Sequence, residues 1–303
     1  MPGALAQGLI WGIAAIGIYI TFKVLDVADL TVDGSIVTGA AVFTVLFTSG
    51  VNVWIAMLAS FIAGAATGLV TGFLHTLLGI PVILAGILTQ LMLWSVNLMV
   101  LGGANLAINR LSKYAANRLI SAAALSIKNP DFYIPLAILL LFCAAIIALL
   151  YWFFGTELGM SLRSTGNNLD MSRAQGINTD FTKVFGLALS NGIVALSGSL
   201  LAQQQGSADI NMGKGAIVIG LAAVIIGEAL CGKATANFAV RLIFVVVGAI
   251  VYWVVYQTVI FFGLPSDLLK MLSALVVALF LGIPYLKKKY LGKKKKKGGV
   301  LNA

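Results

Sequence analysis

Residues 155–183, GTELGMSLRSTGNNLDMSRAQGINTDFTK, place Glu157, Arg163, Asn167, Asn168, Asp170, Arg173, Asp180 and Lys183 in one stretch between two long apolar runs. A membrane chain must put such a stretch in water, and what it touches there bears on what the protein does. Its charges cannot sit at mid-membrane, where each charged side chain costs about 2.5–3.5 kcal/mol. Bond-making chemistry is missing elsewhere. His75 is the only histidine and falls at the end of an apolar run. No GxSxG nucleophile motif and no intramembrane acid pair of the proton-relay kind occurs. One phosphate-loop near-miss runs from Gly227 to Ala234. It has Gly232 and Lys233, but Ala234 stands where Ser or Thr must hold magnesium, and no strand precedes it.

The composition states what must position the polar stretch. Hydrophobic residues make up 60% of the 303 and charged residues 10%, against about 25% charged in soluble domains. Mean hydropathy is +1.02. The chain therefore reads as one integral membrane domain over 1–286, with 155–183 as a cytoplasmic loop. Residues 1–10 lack Lys and Arg, and the first apolar run continues to Phe22, so it is expected to be a retained span. Cys143 and Cys231 lie far apart in or beside apolar runs, which fits inert thiols rather than a disulfide framework. The formal charge of +10 owes eight lysines to 287–297, in a tail spanning 287–303. Such a cluster after an apolar span marks the cytoplasmic side and anionic lipid, not nucleic acid.

The expected fold is all-α, with about 8–10 transmembrane segments at about 20 residues per crossing. Spans are expected at 4–25, 51–74, 80–101, 133–154, 184–204, 214–231, 236–262 and 266–286; the shorter 32–48 carries Asp33, Gly34 and Ser35 at its start. Continuous apolar runs rule against a barrel. A cytoplasmic tail puts the 155–183 loop on the cytoplasmic side. If the N-terminus is there too, parity requires 32–48 to enter and return as a broken or re-entrant helix, which needs cover from protein or a water-filled cavity. A further crossing within 104–127 is the alternative. Segment 102–132 mixes Leu106, Ile108, Leu111, Leu119 and Ile120 with Arg110, Lys113 and Arg118, the pattern of an interfacial helix.

Two short segments match loosely: TVDGSIVTGAAV at 31–42 and DINMGKGAIVIGLAAV at 209–224 both pass from an acid through small residues into an apolar run. Paired Gly-interrupted segments of this sort point to a transport pathway. Gly64, Gly68 and Gly72 share one face of the span 51–74, where a second helix can approach closely. Asp33, Ser35, Asn52, Gln90, Asn97, Asn191 and Gln203 are the polar candidates for lining a pathway. Interhelical hydrogen bonding is the competing role for each.

Four stretches together resemble the permease subunits of ABC importers in the branched-chain amino acid, ribose and nucleoside class. They are LTVDGSIVTGAAV at 30–42, GIPVILAGILTQLM at 79–92, GTELGMSLRSTGNNLDMSRAQGIN at 155–178, and the run from Asp209 to Gly232. The third is the most specific, and Ser164 stands where the sugar members commonly carry Ala. The sequence is most similar to the tryptophan/tyrosine permease branch. The resemblance implies that 155–183 holds a coupling helix seated in a groove of a cytoplasmic ATPase, with Glu157, Arg163, Gly166, Asn167, Asp170, Arg173, Ala174 and Gly176 facing it. It further implies a second copy of the chain, an extracytoplasmic binding (lipo)protein, and ATP and Mg bound only in the partner ATPase. A bacterial cytoplasmic membrane and a small organic solute, an amino acid and possibly an aromatic one, complete the expectation. The competing reading is a stand-alone secondary transporter with discontinuous helices, which needs its own coupling-ion site.

Overall fold

A computed structural model of the protein describes residues 2–108, 119–120, 133–231 and 237–261, with the single residues 271, 278 and 282. The order is α1 (Pro2–Tyr19), a π-helical turn (Ile20–Val24), α2 (Val32–Thr48), α3 (Val53–Thr76), α4 (Val82–Leu101), β1 (Asn105–Ala107), α5 (Tyr133–Phe153), α6 (Glu157–Asn167), α7 (Leu169–Ala174), α8 (Thr179–Gln205), β2 (Ser207–Asp209), α9 (Ala216–Cys231) and α10 (Phe238–Phe261). Six helical stretches among the described residues are long and apolar enough to cross a membrane. The protein is a polytopic all-α membrane protein. Apart from those three single residues, the expected span 266–286 falls outside the described residues, as does the lysine tail.

Helix α8 is the axis of the bundle. Its Ser190 and Ser197 hydroxyls donate to the carbonyls of Gly17 and Ile10, both at 2.7 Å, so α1 runs antiparallel to it. Helix α3 is antiparallel too. A Cβ on Gly64 would strike Asn191 and Ala195, one on Gly68 would strike Leu187 and Ala188, and one on Gly72 would come within 2.9 Å of Val184. The three glycines thus bring two backbones together over about two turns of α3, a contact built from dispersion because lipid offers no hydrophobic gain. Helix α10 covers the other side of α1, with Trp11 against Trp253 at 6.0 Å and Tyr19 against Phe238 at 6.1 Å.

The two ends of the bundle differ. One carries α6 and α7. The other carries the antiparallel pair β1–β2, in register Leu106↔Ala208. Part of the expected interfacial segment is therefore a strand; residues 109–118 and 121–132 fall outside the described residues.

The antiparallel contacts also correct the expected topology. The start of α1 lies at the β1–β2 end, opposite α6, so five helices rather than an even number lead to the polar loop. Segment 32–48 does not return to its starting side. It is one continuous helix of 17 residues, about 25 Å long. It starts part-way down the bundle, where Thr31 meets Thr71, and ends beside Leu119 at the β1–β2 end. The break precedes it: the π-turn gives way at Leu25, Asp26 takes a left-handed φ of +54°, and helix resumes at Val32. Helix α9 likewise begins inside the bundle. The two similar segments meet there, since Asp33 accepts from the backbone N–H groups of Gly215 (3.0 Å) and Ile217 (2.9 Å). A carboxylate at a helix N-terminus satisfies orphan donors and the helix dipole together.

Candidate coupling face and pathway residues

The polar loop folds as two short helices, each with its own cap. Thr156 accepts from Gly159 N–H at 3.4 Å to start α6, Asn168 from Met171 N–H at 3.0 Å to start α7, and Asn178 from Phe181 N–H at 3.0 Å to start α8. Three contacts make one body of them. Ser164 and Ser172 hydroxyls lie 2.8 Å apart, Thr165 and Thr182 hydroxyls 3.0 Å apart, and Arg173 Nε donates to Thr179 Oγ1 at 2.9 Å while its guanidinium sits 3.6 Å from Asp180. Gly166 presses on the carbonyl of Val24, the last residue of the π-turn, with no room for a Cβ. Force applied to α6–α7 therefore passes into α8 and into the end of α1.

The sequence-named residues split into two groups here. Glu157, Asn167, Asp170, Ala174 and Gly176 are exposed at the surface of this end. Arg163 turns sideways. Its guanidinium lies 4.3 Å from the Phe238 ring and 5.2 Å from Phe154, and desolvation there lowers its pKa below the ordinary arginine value. It lines a cleft of about 760 Å³ with Tyr19, Lys23, Asp26, Asn167 and Arg241. Lys23 in turn pairs with Glu228 of α9 at 2.8 Å. Gly166 presses inward on α1, and Arg173, itself exposed, ties back to the start of α8. Sequence reading missed the exposed apolar side chains between the charges, Leu158, Met160, Leu169 and Met171. Their alternation with polar positions was the available signal.

The pathway candidates scatter. Ser35 and Asn191 are sealed in a network at the start of α2. Ser35 Oγ donates to Asn191 Oδ1 at 2.6 Å and meets Thr67 Oγ1 at 2.7 Å; Asn191 Nδ2 donates to Asp29 Oδ2 at 2.6 Å; Thr31 N–H donates to Asp29 Oδ1 at 2.9 Å. Asp29, only 2% exposed, was not singled out from the sequence. Asn52 is an exposed cap on α3, accepting from Trp54 N–H at 3.0 Å. Gln203 accepts from Leu119 N–H at 3.2 Å near the β1–β2 end. Asp33, Gln90 and Asn97 come together around one small cavity.

Comparison with known proteins gives this bundle of membrane helices and its polar helix pair a class, that of a transport permease. Residues 1–282 match the family described as branched-chain amino acid transport system, permease component. The chain is 37% identical to a tyrosine transport system permease protein of Clostridioides difficile, over 91% of this chain and 88% of that one. It is 33% identical to an uncharacterized protein of Rickettsia prowazekii, over 90% and 94%. Among solved structures, an inward-facing metal-chelate type ABC transporter matches with TM-score 0.52 at 17% identity, over 94% of this chain and 86% of that one. PsaBC of Streptococcus pneumoniae matches with TM-score 0.53 at 16% identity, over 96% and 94%. The chain belongs to the ABC transporter permease family of branched-chain amino acid transport systems.

Proposed function

We propose that the protein is the membrane subunit of an ATP-driven importer that moves a small amino acid, of aromatic type, across the bacterial cytoplasmic membrane by alternating access. The observation that carries the coupling part is the α6–α7 unit, hydrogen-bonded to α8 and packed under the π-turn of α1. A separate cytoplasmic ATPase, carrying ATP and Mg, seats its groove on the exposed Glu157, Asn167, Asp170 and Met171 side of that unit. Nucleotide-driven closure then tilts α8, and α3 follows through the glycine contact. A second copy of the chain completes the pathway, and an extracytoplasmic binding protein delivers substrate at the β1–β2 end. The α6–α7 end and the lysine tail are cytoplasmic. The aromatic substrate is supported by the name of the C. difficile relative.

The secondary-transporter reading needs a coupling-ion site, for which Asp33 is the acid the sequence offers; Asp33 caps the start of α9, and the buried acid in the unwound stretch before α2 is Asp29. Its two oxygens already accept from Thr31 and Asn191, so the site is closed by the protein's own groups.

The test is purification of the tagged chain co-expressed with its neighbouring genes. An ATPase chain should be recovered in stoichiometric amount. Asp170→Arg with Met171→Glu should abolish that recovery at unchanged permease level. A chain that purifies alone and drives uptake from an ion gradient overturns the proposal.

A further inference from the structure

At the junction of α2, α4 and the segment leading into α9 lies a cavity of about 50 Å³ lined by Asp33, Gly34, Gln90, Trp94, Asn97 and Lys214. Its walls carry complementary chemistry. Lys214 Nζ rests 4.7 Å from the centroid of the Trp94 ring, and among the described residues no carboxylate pairs with it. Asn97 is 1% exposed. Its Nδ2 donates to the Gly34 carbonyl at 3.3 Å, yet its Oδ1 is buried with no partner among the described residues. Asp33 is held at the start of α9 by the N–H groups of Gly215 and Ile217 and makes no ion pair with Lys214. An unmet buried acceptor is costly and is ordinarily satisfied by a donor. An ammonium parked on an aromatic face exchanges that contact for a carboxylate when one arrives.

We propose that this cavity receives the head group of an α-amino acid during transport: Asn97 Oδ1 accepts from its ammonium, Lys214 pairs with its carboxylate, and Trp94 carries its side chain. The inference rests on the amino acid reading above and names the residues that would enforce it. Size agrees with recognition of the head alone. A cavity needs about 10–15 Å³ to hold one water, so 50 Å³ takes about three to five groups of that size, enough for an ammonium and carboxylate while the side chain stays outside. The Trp94 ring, 40% exposed, is the surface left for it. The site would then test that a solute is an amino acid and leave side-chain selection to the binding protein.

The test is thiol protection at Gln90→Cys, in the full chain with its ATPase and without binding protein, in membrane vesicles. L-tyrosine and L-leucine at about twice their Kd should each slow labelling about threefold, since about a third of sites then remain free. Tyramine, which lacks the carboxylate, and 3-(4-hydroxyphenyl)propionate, which lacks the ammonium, should not protect at that concentration. Lys214→Gln should remove the protection and Lys214→Arg should restore it, with labelling in the absence of ligand unchanged. Equal protection by all four compounds, or protection that survives Lys214→Gln, overturns the site. Absence of protection together with normal binding-protein-dependent tyrosine uptake overturns the site and leaves the transport reading standing. Protection by both amino acids without tyrosine uptake supports the site and overturns only the aromatic substrate. Protection by neither, with no amino acid uptake, removes both.

Discussion

Asn191 holds the centre of the structure at residue scale. It is fully buried on α8, donates to Asp29 and to the carbonyl of Leu187, and accepts from Ser35. Removing its amide strands the Asp29 oxygen away from water, while the Ser35 hydroxyl keeps Thr67 and the Thr31 carbonyl. Asn191→Leu is expected to cost about 3 kcal/mol or more, because the group left unmet is a carboxylate, against about 1 kcal/mol for Ser35→Ala, which leaves only the neutral Asn191 Oδ1 without a donor. Thermal unfolding in detergent checks the order; a larger drop for Ser35→Ala would mean that the hydroxyl, not the amide, organises the site. The same residue shows where sequence reading stops. Asn191 and Ser35 were legible as polar residues in apolar spans, but whether such a group faces a pathway or a neighbour depends on helix rotation, which composition does not encode. Asp29 was less legible still. It lies between Asp26 and Asp33 in a stretch that reads as loop, and its burial follows only from the return of α2 into the bundle.

At the scale of elements, the contacts that matter join helices through backbone. Gly68 faces Leu187 and Ala188, and any side chain there must drive α3 away from α8. Gly68→Leu is expected to lower the unfolding midpoint and reduce the amount of protein in the membrane. Gly79→Ala, at a surface turn with φ of +67° and open space around it, should cost about 1 kcal/mol or less through backbone strain alone. Equal effects from the two would show that packing against α8 is not what Gly68 supplies. A Gly166→Leu change acts differently. It lifts α6 off the Val24 carbonyl and should leave the chain in the membrane with ATPase activity present but uptake lost; retained uptake would break the proposed link through α1. The long helices and the glycine face were readable because length and spacing of four depend on sequence alone. The direction of α2 was not. Parity was solved from an assumed N-terminal side, and a 17-residue helix that starts inside the bundle satisfies the hydropathy pattern of a re-entrant one equally well. The β1–β2 pair was invisible for a similar reason: three residues on each side hold register through a partner about a hundred positions away.

Taken as a whole, the molecule has two ends joined by one stiff axis. Helix α8 starts at the α6–α7 unit and ends at Gln205 beside the β1–β2 pair. Between them it touches α1 at Gly17 and Ile10, α2 at Ser35, and α3 at its three glycines. Motion imposed at one end cannot be confined there, because packed interiors shift between discrete arrangements rather than deforming smoothly. Alternating access built this way demands that the two ends face opposite sides of the membrane. Single cysteines test that directly, in a background from which Cys143 and Cys231 have been removed. Asn168→Cys, on the exposed turn between α6 and α7, should react with a membrane-impermeant thiol reagent only when the cytoplasmic face is open. Ser49→Cys, exposed at the far end of α2, should react in intact cells. Labelling of both from the same side would contradict the single axis. Reversed labelling would keep the axis but place α6–α7 outside, where no ATPase could reach it, and the coupling assignment would fall.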